Sequence, residues 1–179
     1  MLDARLAAVD DVAFMWSMLF RAAHADEQPG ATVESIRADP DLGRYLDDWG
    51  RRGDLGLIAT DHERPVAAAW LRLFAAHETQ LVTYVTAEVP ELAIAVEPDR
   101  TGQGVGSFLL RRLMGEADAA GIPAVVLSAR ANNPAIQLYQ RFGFVETDRI
   151  VNRIGTWSVK LVRERPGNDP AAALQHRAL

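Results

Sequence analysis

The sequence contains no cysteine. Disulfides, thiolate metal sites and a cysteine nucleophile are thereby excluded, and the absence fits a reducing compartment. No apolar run approaches the ~20 residues that span a bilayer, so no membrane partner is expected. The first residues lack a basic segment leading into an apolar stretch; no signal peptide is read there, and cytoplasmic is the default location. Basic side chains are in deficit: 19 Lys and Arg against 24 Asp and Glu give a net charge of -5. Bulk electrostatics therefore do not favour nucleic acid. The four histidines, His24, His62, His77 and His176, lack the i, i+4 spacing of a helical metal pair, and no metal is expected.

What is present suffices for a folded domain: 179 residues, 49% of them apolar, can bury a full core. One domain over residues 1–165 is expected, then a poorly ordered tail over 166–179 rich in Pro, Gly, Asn and Ala. A short strand is read over 6–9 and an amphipathic helix over 12–23, with Asp10 or Asp11 as its N-cap. Met15, Trp16 and Met18 form a stripe on that helix that suits core packing better than a pocket wall. A helical region over 32–49 is broken near Pro40 and Gly43. Strands over 55–60 and 66–74 read as a hairpin, 79–86 as strand or extended loop, and 92–96 and 124–128 as strands. A helix opens at Asn133 and Pro134 and closes at Gly143, and strands over 144–151 and 156–162 end the domain. The pattern is mixed α/β with an antiparallel hairpin at each end.

The stretch 91–117 carries the most chemistry. Its strand enters a turn at Glu97, Pro98 and Asp99; a loop over 101–106 follows, then a helix bearing Leu109, Leu110 and Leu113. Gly102, Gly104 and Gly106, at alternate positions, leave backbone N–H groups unshielded at the positive end of a helix, a combination that binds phosphate. The ATP/GTP loop needs Lys and then Ser or Thr after its last glycine, but Ser107 and Phe108 follow Gly106. The dinucleotide loop needs a third glycine where Ser107 stands, in a leading βαβ unit.

A second motif, NNPAIQLYQRFGF over 132–144, decides the matter. The two together resemble the GNAT superfamily of acetyl-CoA-dependent N-acetyltransferases. Val96, Pro98, Gly102, Gly104, Gly106, Leu109 and Leu110 match the V-x-P, G-x-G-x-G loop and leucine-rich helix. Asn132, Ala135, Leu138, Tyr139, Gly143 and Phe144 match the N-x-x-A-x-x-L-Y helix with its closing G-F. The resemblance covers 66–162 well and the N-terminal third in outline. It implies an α/β fold of the α+β type, the GNAT fold, with a mixed central sheet of six to seven strands flanked by about four helices. Thr101 departs from the usual Gln or Arg. It can cap the turn but brings no charge, and Arg100 is the nearest compensating cation.

The resemblance further implies acetyl-CoA as cosubstrate and transfer of its acetyl group to a primary amine by direct attack on the thioester. The CoA pyrophosphate would lie on the N–H groups of Gly102, Gln103, Gly104, Val105, Gly106 and Ser107, after Thr101. The pantetheine would pair with the backbone of Ile94, Ala95 and Val96, and a Val96 N–H would meet the oxyanion. The small side chains of Ala93 and Ala95 leave room for a ligand or for a helix. Asn132 resembles the family's motif Asn, which bonds the pantetheine or orders the loop, and Asn133 is the more natural cap; the assignment between them stays open. Tyr139 resembles the general acid for the leaving thiolate, a phenol of pKa ~10 facing a thiol of ~8.5; its plain alternative is a helix anchor. Glu91 stands where some members carry a general base, and equally reads as an exposed strand-end glutamate; Glu88 and His77 are fallbacks. The acceptor is a small-molecule or peptide amine, and homodimers are common in the family. A non-catalytic acyl-CoA sensor of the same fold is the rival reading, and a longer acyl donor a third.

Overall fold

The structure, a computed structural model, describes residues 1–74, 86–152 and 155–167. In chain order it contains β1 (Leu2–Leu6), α1 (Val12–Ala22), α2 (Val33–Ala38), α3 (Pro40–Gly43), β2 (Leu55–Asp61), β3 (Arg64–Arg72), β4 (Glu91–Val96), α4 (Val105–Ala119), β5 (Ala124–Arg130), α5 (Ala135–Arg141), β6 (Val145–Val151) and β7 (Trp157–Glu164). These are the mixed α/β elements expected, the broken helical region appearing as α2 and α3 on either side of Asp39. No helix among the described residues is long and apolar enough to cross a membrane. Most of the segment expected as strand over 79–86, and the tail from residue 168, lie outside the described residues. The chain divides into two compact units: Met1–Leu73 with Glu91–Glu116, and the described parts of Phe74–Pro90 and Ala117–Leu179.

In the first unit β1, β2, β3 and β4 form a continuous antiparallel ladder. The β2–β3 hairpin closes on His62 (φ 47°) and Glu63 (φ 67°), both left-handed, which gives the turn a twist that matches the strands. Met15, Trp16, Met18 and Leu19 of α1 bury against Ile36, Leu46, Ile58, Ala68, Trp70 and Ala93. The Met–Trp stripe is therefore core, each such side chain contributing roughly 1.5–3 kcal/mol by leaving water. Ala93 and Ala95 meet this same cluster, so their small side chains make room for helix packing rather than for a ligand on that face.

One N-terminal expectation is corrected. The first strand is Leu2–Leu6, not 6–9. Its registration against β2 (Leu2 opposite Asp61, Leu6 opposite Leu57) fixes its limits, while Leu6 and Val9 of the apolar run stay exposed. Asp11 holds the N-cap position of α1, as expected, though its side chain bonds no N–H of that helix. Its carboxylate turns back to the Ala8 N–H (2.8 Å) and forms a two-pronged pair with Arg5 (2.6 and 2.7 Å), which holds its pKa below the ordinary value.

In the second unit β7 lies between β5 and β6, antiparallel to both, as the terminal hairpin predicts. Arg163 of β7 donates to both oxygens of Asp118 in the last turn of α4 (2.8 and 2.7 Å) and to the Phe142 carbonyl (3.1 Å). That one side chain ties together helix end, strand and the exit of α5.

Candidate active site

The loop after β4 is braced from its own side chains. The Thr101 hydroxyl donates to the Pro98 carbonyl (2.9 Å) and Gln103 Nε2 to the Asp99 carbonyl (2.8 Å). Arg64 pairs with Asp99 (2.9 Å) and Arg100 with Asp61 (2.8 Å), tying the loop to the β2–β3 hairpin. Arg64 holds the Asp99 carboxyl below its ordinary pKa, and the chain's own N-terminal amine, with Arg100 adding to it, does the same to Asp61. Arg100, the cation expected to stand in for the one missing at Thr101, is thus committed to Asp61.

Helix α4 starts at Val105, one residue before Gly106. The first helical bond runs from the Phe108 N–H to the Gly104 carbonyl (2.9 Å). Among the described residues no hydrogen-bond partner occupies the N–H groups of Gly102, Gln103, Gly104, Val105, Gly106 or Ser107. Gly102 (φ 73°) and Gly104 (φ 82°) adopt the left-handed conformation that only glycine takes without strain, and a Cβ on either would meet nothing within 4 Å. Unpaired donors, open space and a helix N-terminus suit a diphosphate, so the residues present fit CoA at this loop. A depression of about 180 Å³ beside it, lined in part by Asp61, Arg100 and Gln103, falls below the ~300 Å³ of ordinary small-molecule pockets.

Strand β4 leads into the loop. The Glu97 N–H donates to the Val66 carbonyl (2.9 Å), which sets the alternation of the β3–β4 ladder. Glu97, Ala95, Ala93 and Glu91 turn their backbone groups to β3. Val96, Ile94 and Leu92 turn theirs to the strand's other edge. Of Ile94, Ala95 and Val96, it is Ile94 and Val96 whose backbone groups turn away from β3, while Ala95 pairs with Ala68. Glu91 is buried, at 5% exposure, which corrects the exposed strand-end alternative.

In the second unit, the Asn133 side chain accepts from the Ala135 N–H (2.8 Å), and Pro134, with helical backbone angles (φ -62°, ψ -20°), immediately precedes α5. Asn133 is therefore the cap. Asn132 is exposed, and its side chain makes no hydrogen bond among the described residues. Tyr139 lies on the buried face of α5, edge-on to Phe144 at 6.0 Å, where Gly143 (φ 86°) reverses the chain. Burial pushes the Tyr139 phenol up to about 12, and its hydroxyl has no partner among the described residues.

The model of the Acetyltransferase (GNAT) family matches residues 16–144, which take in the loop, Glu91 and Tyr139. The chain belongs to the GNAT family. The [ribosomal protein bS18]-alanine N-acetyltransferase of Escherichia coli K12 is 44% identical to this GNAT chain over 54 residues, 30% of the chain and 36% of that protein. The chain thus matches about a third of the length of such curated relatives. The solved ribosomal-protein-S18-alanine N-acetyltransferase of Escherichia coli superposes with a TM-score of 0.66 at 21% identity, over 95% of this chain and 97% of that one. A putative acetyltransferase of Salmonella typhimurium, solved with its cofactor acetyl-CoA, gives 0.67 at 18% identity, over 94% and 96%. At these identities the likeness shows the GNAT fold.

Sequence reasoning missed one residue at this site. The Tyr45 hydroxyl, just beyond α3, donates to Glu91 Oε1 at 2.7 Å. Forty-six positions separate the two, and no local pattern marks Tyr45. His77 lies outside the described residues, and Glu88 is an exposed turn residue whose N–H bonds Thr86 (3.3 Å).

Proposed function

We propose that this chain is a cytoplasmic N-acetyltransferase that moves the acetyl group of acetyl-CoA to a primary amine by direct attack on the thioester. The reading is carried by the loop of unpaired N–H donors at the head of α4, in a chain of this family. Acetyl-CoA supplies the acetyl group as a thioester: a C–N bond forms to the acceptor, the C–S bond breaks, one amine proton leaves and the CoA thiolate takes one up. The N–H groups from Gly102 to Ser107 hold the diphosphate, and the outward backbone of Ile94 and Val96 pairs with the pantetheine amides, with Asn132 free to add a further bond. Glu91 takes the amine proton, directly or through water.

Tyr139 serves the leaving sulfur. A phenol near 12 is fully protonated at neutral pH, so the donor is always loaded. Complete transfer to a thiolate of pKa ~8.5 is uphill by roughly 5 kcal/mol, so its main contribution is a hydrogen bond to the sulfur as the bond breaks.

An alanine-initiated peptide is the first acceptor to test, since relatives bear that specificity in their names. CoA release is followed with such peptides, other peptide N-termini and small amines, beside calorimetry with acetyl-CoA. Turnover is expected, and Tyr139→Phe should lose at least ~10-fold in kcat while keeping acetyl-CoA affinity within about twofold. Absence of acetyl-CoA binding at high protein concentration overturns the proposal. Binding without turnover across the panel favours the acyl-CoA sensor.

A further inference from the structure

Glu91 sits in a frame built for more than burial. It pairs directly with Arg72 across the β3–β4 ladder, so both side chains leave the same face. Arg72 is fully buried; it donates to both oxygens of Asp54 (3.0 and 2.9 Å) and to the carbonyls of Arg44 (2.9 Å), Asp47 (2.7 Å) and Asp48 (3.3 Å). Two residues back along β3, Trp70 Nε1 donates to the Tyr45 carbonyl (3.2 Å). Two side chains of one strand therefore grip the backbone before Tyr45, at Tyr45 and after it. From that mount the Tyr45 hydroxyl meets Glu91 Oε1 at 2.7 Å, the short separation of a bond between a hydroxyl and a charged carboxylate.

We propose that Tyr45 is a positioning residue for Glu91: its clamped hydroxyl fixes the carboxylate's orientation and favours the ionised form that accepts the amine proton. The inference rests on Glu91 being the base. Burial opposes the carboxylate's charge, and a donor to the charged form offsets that opposition. Tyr45 is not the sole partner of Glu91; Arg72 faces it across the ladder, and Arg44 and Asp41 bear on the phenol with opposite signs. Burial, then the Glu91 charge, push the Tyr45 phenol well above its ordinary value, so Tyr45 stays a donor and is not itself the base.

The test is a carboxyl-carbon NMR titration of the whole protein labelled at glutamate, with the Glu91 signal assigned by its loss in Glu91→Gln. Tyr45→Phe deletes one oxygen from a half-buried ring; a melting curve and acetyl-CoA calorimetry check that fold and cosubstrate affinity persist. In Tyr45→Phe the Glu91 midpoint should rise by about one pH unit, and the acidic limb of kcat/KM for the acceptor turned over should move up with it. A midpoint that moves by less than about 0.3 unit overturns the inference. A shifted midpoint with full turnover in Glu91→Gln fails the base assignment instead, leaving the Tyr45–Glu91 coupling as a structural bond and ending its catalytic role.

Discussion

The same substitution can be made at two glycines, one in the loop proposed to hold the diphosphate and one inside α4, with opposite expected signs. Gly104 and Gly115 both have room for a Cβ, with nothing within 4 Å of either. They differ in backbone. Gly104 has φ 82°, where an L side chain costs about 1–2 kcal/mol. Gly115 lies inside α4 with no such constraint, where alanine is favoured over glycine by about 0.5–1 kcal/mol. For a chain of this length, Gly104→Ala should lower the melting temperature by roughly 2–8 °C and Gly115→Ala raise it by about 1–4 °C. Binding separates them further. The Gly104 methyl would fill space reserved for the diphosphate and weaken CoA by about tenfold or more, a loss of ~1.4 kcal/mol or more. Gly115→Ala should leave CoA affinity unchanged. Differential scanning calorimetry and isothermal titration with CoA read both effects. If Gly104→Ala melts lower as expected yet binds CoA like the wild type, the diphosphate does not lie on this loop.

The Arg72 clamp should dominate local stability: Arg72→Met strands Asp54, whose side chain is 3% exposed, and is expected to cost about 3–5 kcal/mol, or roughly 6–20 °C in melting temperature. Arg163→Met should cost less, because its partner Asp118 is 32% exposed and can be rehydrated; equal losses would argue against the burial argument. Tyr139 predicts an alkaline effect. Its folded pKa, near 12, lies above the ordinary 10.0, so the unfolded chain loses this proton first. The stability it contributes is complete below pH ~10 and is lost between ~10 and ~12, up to about 3 kcal/mol, and urea unfolding against pH should show that share missing in Tyr139→Phe.

Much of the fold was legible because its signals are local. The Asn133–Pro134 start and Gly143 stop of α5, the break before Pro40 and the glycine loop each act within a few residues, and each appears where the residues placed it. The first strand was not legible, because an edge strand is defined by its partner β2 more than by its own apolar content. Asp11 stands at the N-cap position expected of it; what was not legible is that its carboxylate is shared between Arg5 and the Ala8 N–H.

By itself, then, the sequence determined the family resemblance and the open glycine loop, since alternate glycines before a leucine-rich helix dictate backbone chemistry without reference to anything distant. Only the tertiary structure decided what surrounds the residues proposed for catalysis. Glu91 proved buried because it stands opposite the fully buried Arg72 and against Tyr45, and Tyr45 reaches it because Arg72 and Trp70 hold a distant backbone in place. The ladder's alternation turned the backbone of Ile94 and Val96 away from β3 and that of Ala95 toward it. Burial and hydrogen-bond partners depend on which segments meet in space, and the order of residues along the chain does not carry that.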